Sequence, residues 1–204
     1  MTAPVHFSRN VSKLGGDIPS VSLPPILTCP AGIGCAKKCY ARKGRFAFSK
    51  NKELLMNNLN VWRTDPQAFE QAVMNYSFFS AFFRWHVAGD IPDASYLRMM
   101  VRVTEACRST KFLAFTKQYE LVNNHIRMNG KLPDNLTIVL SAWGDIIPQN
   151  PFNLPVAYIR FKSGNPVEIP SDARHCMKYC GECVMSGCSC WSLKEGQSVV
   201  FDEH

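Results

Sequence analysis

Strand-like and helix-like segments take turns from residue 81 to residue 162, and that alternation constrains the fold more than any other feature of the chain. "AFFRWHVAG" (81–89) is apolar and aromatic and runs into Gly89-Asp90, the pattern of a strand. "DASYLRMMVRVTEACRS" follows with helical periodicity and with Asp93 or Ser95 near its start. "KFLAFTK" (111–117) is the next strand, and "QYELVNNHIRMNGK" is a helix stopped by Gly130. "NLTIVLSAW" (135–143) and "VAYIRFK" (156–162) are two further strands around a proline-bearing loop. Upstream, residues 51–79 predict a helix in two pieces, with Thr64 or Asp65 as the N-cap and Pro66 at the first helical position. "SVSLPPILTCP" predicts a short strand ending near Cys29, its prolines limiting the pairing. Residues 1–20 are expected to form an arm or loop.

Alternation of this kind predicts a parallel sheet with covering helices. A complete eight-unit barrel takes roughly 250 residues. A chain of 204 residues therefore predicts one α/β domain, a partial (β/α) barrel or an open, mainly parallel sheet. From Ser163 onward the chain is turn-rich, and residues 171–192 form a cysteine-rich extension expected to bind metal. Sites in such folds lie at the C-terminal ends of the strands. The predicted strand ends carry Cys29, Gly89-Asp90, Thr116-Lys117, Ser141 with Trp143 to Asp145, and Lys162. Gly89, Asp90, Lys117 and Asp145 are accordingly candidates for ligand or cofactor contact. His86, alternating with Trp85, is expected to be a satisfied core histidine.

The chain has nine cysteines, and eight fall in two groups. Cys29, Cys35 and Cys39 form a Cys-x5-Cys-x3-Cys loop with glycines that allow a tight fold. Cys176, Cys180, Cys183, Cys188 and Cys190 form the second group. Cys107 stands alone in an apolar-periodic helix and reads as a small core residue. No apolar run approaches the length of about 18 residues that marks a membrane span. The first residues lack the apolar core of a secretory leader, so a cytosolic location is expected. Reducing compartments disfavour structural disulfides, and grouped thiols there point to metal or redox chemistry. Thiolates are soft ligands suited to zinc and to iron–sulfur clusters. A structural zinc closes with four ligands, so three cysteines require a distant fourth or leave a position open. Two four-ligand sites, or one cluster fed from both ends of the chain, both satisfy the count.

Net charge is +7, which permits a polyanionic partner. Five of the cations, Lys37, Lys38, Arg42, Lys43 and Arg45, fall within nine residues beginning just before the third thiol. A solvated loop, phosphate contacts beside a metal, and charge balance for an anionic cluster are three readings of this run. Tyr40, Phe46 and Phe48 are interleaved with it and suit stacking on bases, so nucleic acid or another phosphate-bearing ligand is the expected partner.

The combination of "LPPILTCP", "CAKKCYARKGR", "FRWHVAGD", "FLAFTK" and the terminal cysteines resembles the gene product 88 family of phages and mobile elements, over roughly residues 6–192. That resemblance implies a location in the host cytosol. At one remove the arrangement is similar to the radical S-adenosylmethionine enzymes. They place three cysteines after the first strand of a partial barrel, where the thiolates hold a four-iron cluster whose fourth iron takes S-adenosylmethionine. This second resemblance implies an iron–sulfur cluster of the 4Fe-4S type on Cys29, Cys35 and Cys39. It implies cofactor contact by Ala88-Gly89-Asp90, and substrate contact by Lys117 or Asp145. The cysteine spacing here is longer than that group's Cys-x3-Cys-x2-Cys, and the acidic motif is one glycine shorter. The C-terminal cysteines supply candidates for a fourth ligand that would close the cluster. The alternative is a zinc-binding or closed-cluster protein that binds nucleic acid without catalysis.

Overall fold

The computed structural model describes residues 4–9, 11, 14–15, 18–30, 34–187 and 189–203. Their strands are β1 (Phe7–Ser8), β2 (Ser20–Val21), β3 (Phe82–Trp85), β4 (Lys111–Thr116), β5 (Leu136–Ser141), β6 (Val156–Arg160), β7 (Arg174–His175) and β8 (Ser198–Asp202). The helices are α1 (Cys35–Lys38), α2 (Ser49–Thr64), α3 (Pro66–Ser77), α4 (Ala94–Ala106), α5 (Tyr119–Asn129) and α6 (Cys180–Met185). Short 3₁₀ turns cover Tyr40–Arg42, Gly44–Ala47 and Cys190–Ser192.

The strands form one open sheet of order β1-β2-β3-β4-β5-β6-β8-β7. Every neighbouring pair is parallel except β1 with β2. The expected α/β architecture with a mainly parallel sheet is therefore the observed one. Local chemistry sets the boundaries. Asp65 accepts a hydrogen bond from the N–H of Ala68 at 3.0 Å and separates α2 from α3, with Pro66 opening the second helix. Asp93 caps α4 by accepting from the N–H of Tyr96 at 2.8 Å. Gly130, at φ +84°, ends α5.

Three expectations need correction. Part of the N-terminal arm joins the sheet as β1, because Asn58 on α2, fully buried, bonds both backbone groups of His6 and the carbonyl of Ser22. The strand at 81–89 stops at Trp85, since His86 takes φ +54° and leaves the extended region. The C-terminal segment does not end outside the sheet: "SVVFD" returns as β8 and pairs in parallel with β6 over Val156–Arg160. The cysteine-rich segment is thus part of the crossover between two adjacent parallel strands.

Alternation along the strands splits the core in two. Phe83, Trp85, Phe112, Ala114, Ile138 and Leu140 pack against helical residues such as Leu59, Phe69, Tyr96 and Met100. The opposite face, with Leu113, Val139, Ala157 and Val199, is covered by Leu14 and Ile18 from the N-terminal segment and by Trp191 and Leu193 from the C-terminal one. Trp191 is the anchor there: its indole N–H donates to the carbonyl of Phe83 at 3.0 Å, and its own carbonyl accepts from Thr137 Oγ1 at 3.0 Å.

The exits of β2 and β3 are fused. The N–H of Leu23 donates to Ala88 O at 3.0 Å. Gly89, at φ +79°, packs so closely that a Cβ there would sit 2.5 Å from Leu23 O and 2.7 Å from Thr28 Oγ1. A side chain would incur both left-handed strain and a clash with main chain. Gly89→Ala is expected to cost at least about 2 kcal/mol in urea unfolding. A loss below about 0.5 kcal/mol would show that this junction relaxes freely.

Candidate functional site

The C-terminal ends of the parallel strands open on a cavity of about 1370 Å³. Cys29, Cys35 and Cys39 line it, and so do Cys176, Cys180, Cys183 and Cys190. The fold has therefore brought together two groups far apart in sequence. Cys188 lies outside the described residues. Cys29, Cys35, Cys39, Cys176 and Cys190 are half-buried free thiols, and Cys180 and Cys183 are half-buried as well. Cys107 is elsewhere, 3% exposed beneath the helices, in the core role expected of it.

Asp90 organises the rim. Its backbone N–H donates to Thr28 Oγ1 at 3.0 Å, which fixes the residue next to Cys29. Its Oδ1 accepts from Thr116 Oγ1 at 2.5 Å and from the N–H of Ile91 at 2.7 Å. Its Oδ2 accepts from the N–H of Lys117 at 2.9 Å. Burial pushes the carboxyl up from its ordinary value, and these donors oppose the shift. Tyr119 continues the chain of contacts by donating its hydroxyl to the carbonyl of Ser141 at the end of β5.

Lys117 is half-buried and holds its Nζ 5.7 Å from the centre of the Trp143 ring. Burial raises the Cys35 thiol, and the positive charge of Lys117 pulls it back down. Cys29 is pushed up to about 11, first by burial and then by the charges of Asp90, Cys35 and Cys39, against a lowering hydrogen bond from the backbone of Ile26. The three thiols, Asp90 and Lys117 thus share one electrostatic neighbourhood. Gly89 lines the same cavity, its contribution being the close approach described above. Asp145 does not line it: the residue is exposed, in the turn bridged by Trp143 and Ile146.

All five cations of the basic loop are exposed, and only Lys38 and Lys43 line the cavity. Lys38 pairs with Glu203 at 2.6 Å, and Arg42 donates to Ala36 O at 3.2 Å. Of the interleaved aromatics, Phe48 is 64% exposed. Tyr40 is exposed along its body while its hydroxyl donates to the carbonyl of Val87. Phe46 packs edge-on against Tyr40.

Two lining residues escaped sequence reasoning. Arg84 alternates with the buried Phe83 and Trp85, which puts its guanidinium on the cavity side of β3, 4.2 Å from the centre of the Phe115 ring. The signal was a lone cation in an otherwise aromatic strand. His86, 3% exposed, also lines the cavity. Its Nε2 meets the Tyr96 hydroxyl at 3.1 Å, while its Nδ1 has no partner, so the core histidine is only half satisfied.

The donors suit soft metals in kind, being thiols grouped in threes and fours. Among the described residues, no three Cys, His, Asp or Glu side chains are drawn together closely enough to hold a metal ion. A single tetrahedral zinc, with Zn–S near 2.3 Å, needs sulfurs about 3.8 Å apart. A polynuclear cluster interposes irons and sulfides and spreads its ligands more widely.

A family model described as gene product 88 matches residues 6–183. No curated protein and no solved structure matches. No helix among the described residues is long and apolar enough to cross a membrane.

Burial, then Arg84, lowers the pKa of His86 to about 3. The unfolded chain takes up this proton near the ordinary value of 6.5, whereas the folded one refuses it until pH has fallen to about 3. Stability from this group is complete above pH 6.5 and is lost as pH falls toward 3, at up to about 1.4 kcal/mol per pH unit. In denaturant titrations between pH 7 and 4.5, His86→Asn, which tolerates positive φ, is expected to flatten that decline relative to the parent. Equal slopes would mean that His86 is protonated in the folded state.

Proposed function

This chain belongs to the gene product 88 family, and we propose that it is an iron–sulfur protein whose Cys29, Cys35 and Cys39 hold a four-iron cluster at the rim of the sheet. The observation that carries the reading is the meeting of these three thiols with Asp90 and Lys117 on one large cavity at the C-terminal strand ends. When bound, such a cluster supplies a one-electron donor and, with three protein ligands, one iron open to a small molecule. S-adenosylmethionine is the ligand implied by the more distant resemblance.

The chain's own residues have definite tasks in this reading. Asp90 holds the cysteine loop, β3 and the β4 exit in fixed relation. Lys117 lies close enough to Cys35 to favour its thiolate and offers its ammonium to a carboxylate or phosphate entering the cavity. The exposed Lys37, Arg42, Lys43 and Arg45 offer a phosphate-bearing substrate or nucleic acid a cationic approach, with Phe48 available for stacking.

Anaerobic purification followed by iron, zinc and acid-labile sulfide analysis tests the cluster. Iron and sulfide in equal and stoichiometric amounts are expected, with a change in the reduced protein's EPR signal on adding S-adenosylmethionine. Cys35→Ser should lower the iron content. Stoichiometric zinc without labile sulfide would overturn the reading.

Nucleic-acid contact has its own test. Oligonucleotide affinity should fall steeply with salt, and Lys43→Ala/Arg45→Ala should flatten that slope by about one unit per lost phosphate contact while leaving iron unchanged. Absence of oligonucleotide binding at low salt by the iron-loaded protein would remove nucleic acid as the partner.

A further inference from the structure

The cavity has an apolar inner wall that neither the thiols nor the basic loop explains. Phe115 on β4, Ile159 on β6 and Phe201 on β8 are half-buried and line it. β4 and β8 are three places apart in the sheet. At about 4.8 Å per place, a flat sheet would hold these strands about 14 Å apart. The rings of Phe115 and Phe201 nevertheless meet edge to face, with their centres 5.6 Å apart. The sheet therefore curls toward this side, and the wall is the inside of a partial barrel. Beneath it, the layer of Leu113, Ala157 and Val199 packs with Leu14, Trp191 and Leu193. The chamber thus has an apolar floor and opens at the strand ends.

One cation stands in these apolar surroundings. Arg84 on β3 lines the cavity, with its Cζ 4.2 Å from the centre of the Phe115 ring. Its Nε–H donates to Trp85 O at 3.1 Å. Among the described residues its Nη groups have no acceptor, and its guanidinium belongs to no ion pair. The carboxylates that line the cavity are matched elsewhere. Asp90 accepts from Thr116, Ile91 and Lys117. Asp202 lies beside Arg160 and His175, and Glu203 holds Lys38 at 2.6 Å and accepts from the N–H of Lys162. A half-buried guanidinium without a counter-anion has lost water and gained no equivalent partner. Its complement is an anion brought by a ligand.

The form of Arg84 narrows the kind of anion. With Nε engaged and one face on Phe115, it offers its two Nη groups, an end-on fork that a planar carboxylate meets with paired hydrogen bonds. A phosphate dianion calls for more positive charge than one guanidinium supplies. Lys117 is set well apart: Arg84 is in register with Leu113, so Lys117 follows four residues farther toward the strand ends, about 13 Å by strand rise. It sits over Trp143 there. A single fork beside aromatic rings and a branched aliphatic side chain fits an organic acid with an apolar body.

We propose that the inner part of the cavity binds a carboxylic acid with an aromatic body, its carboxylate on Arg84 and its ring among Phe115, Ile159 and Phe201. Binding requires no metal, so the site stands apart from the iron–sulfur reading. That this acid is the substrate does rest on that reading.

The full chain, purified anaerobically and assayed for iron and labile sulfide, is titrated with 3-phenylpropionate in a calorimeter. Binding at millimolar concentration is expected. The neutral 3-phenylpropionamide should bind at least about tenfold more weakly, since it forfeits the charge-assisted pair. Acetate and inorganic phosphate at the same concentration should not displace the acid. Arg84→Gln should abolish the preference for acid over amide, and Arg84→Lys should keep part of it. Phe201→Ala should weaken acid and amide by a similar factor. The comparisons of acid with amide and with acetate use the parent alone, so they stand even where a variant fails to fold. Equal affinity for acid and amide, no binding of the acid, or a preference that survives Arg84→Gln would overturn the proposal. Displacement by acetate or inorganic phosphate would show a bare anion site, and tighter binding of phenyl phosphate would assign a phosphate ester; each overturns it too. A chain without iron and labile sulfide that binds the acid would overturn the iron–sulfur reading alone.

Discussion

The buried carboxylate of Asp90 is the contact on which the rim depends. It is 5% exposed and accepts from Thr116, Ile91 and Lys117, while its own N–H reaches Thr28 beside the first cysteine. Each of those donors would be costly to leave unmatched in a buried place. One side chain therefore sets the spacing of the cysteine loop, the β3 exit and the β4 exit. Gly89 makes this possible by letting β3 turn against Leu23 and Thr28 at a distance no side chain would allow.

The same carboxylate shapes the chemistry of the thiols. Burial of the loop first, and then this negative charge, push the Cys29 thiol up, and Cys35 is held up by burial although Lys117 opposes it. Any metal or electrophile bound through these thiols would have to displace their protons, so binding would depend on pH. Two cations line the same cavity. Lys117 faces the first group over Trp143, and Arg84 faces the second over Phe115. Each is flanked by an aromatic ring that accepts a cation without supplying a full negative charge. Both stay available to an anionic group within the cavity.

Much of the fold was legible in the sequence because strands and helices with unmistakable periods alternate there. The helix at 94–106 has its Asp93 cap, that at 66–77 has Asp65 and Pro66, and that at 119–129 ends at Gly130. The short pairings were not legible. β1 has two residues, too few for a period, and exists because Asn58 and the flanking backbone groups hold it, while the strand expected in "SVSLPPILTCP" is present as β2 but stops at Val21, well before Cys29. β8 was hidden behind the cysteine-rich segment, whose turns obscure the apolar "SVVF" that follows. Of the candidate site, Cys29, Cys35, Cys39, Gly89, Asp90 and Lys117 converge as their strand-end positions implied. Asp145 does not: Trp143 lines the cavity, but the turn bridged by Trp143 and Ile146 leaves Asp145 exposed to solvent. Arg84 was missed because a charged residue amid aromatics reads as solvent-facing until the sheet's second cover is known.

That second cover also explains how thiols almost 150 residues apart come to share a cavity. In a parallel sheet all strands leave at the same edge, so segments that follow different strands emerge side by side. Cys29 follows β2, and Cys176 is the residue after β7. β7 reaches that edge only because it pairs in parallel with β8, which in turn pairs with β6. Without β8, the cysteine-rich segment would have no strand to place it, and Trp191 and Leu193 would lose the strand that holds their segment on the cavity-side face of β4 and β5. The final strand is thus what converts a terminal extension into one wall of the site. The C-terminal thiols and the hydrophobic cover are carried by one crossover, so seating Trp191 and Leu193 on the sheet also brings those thiols to the cavity.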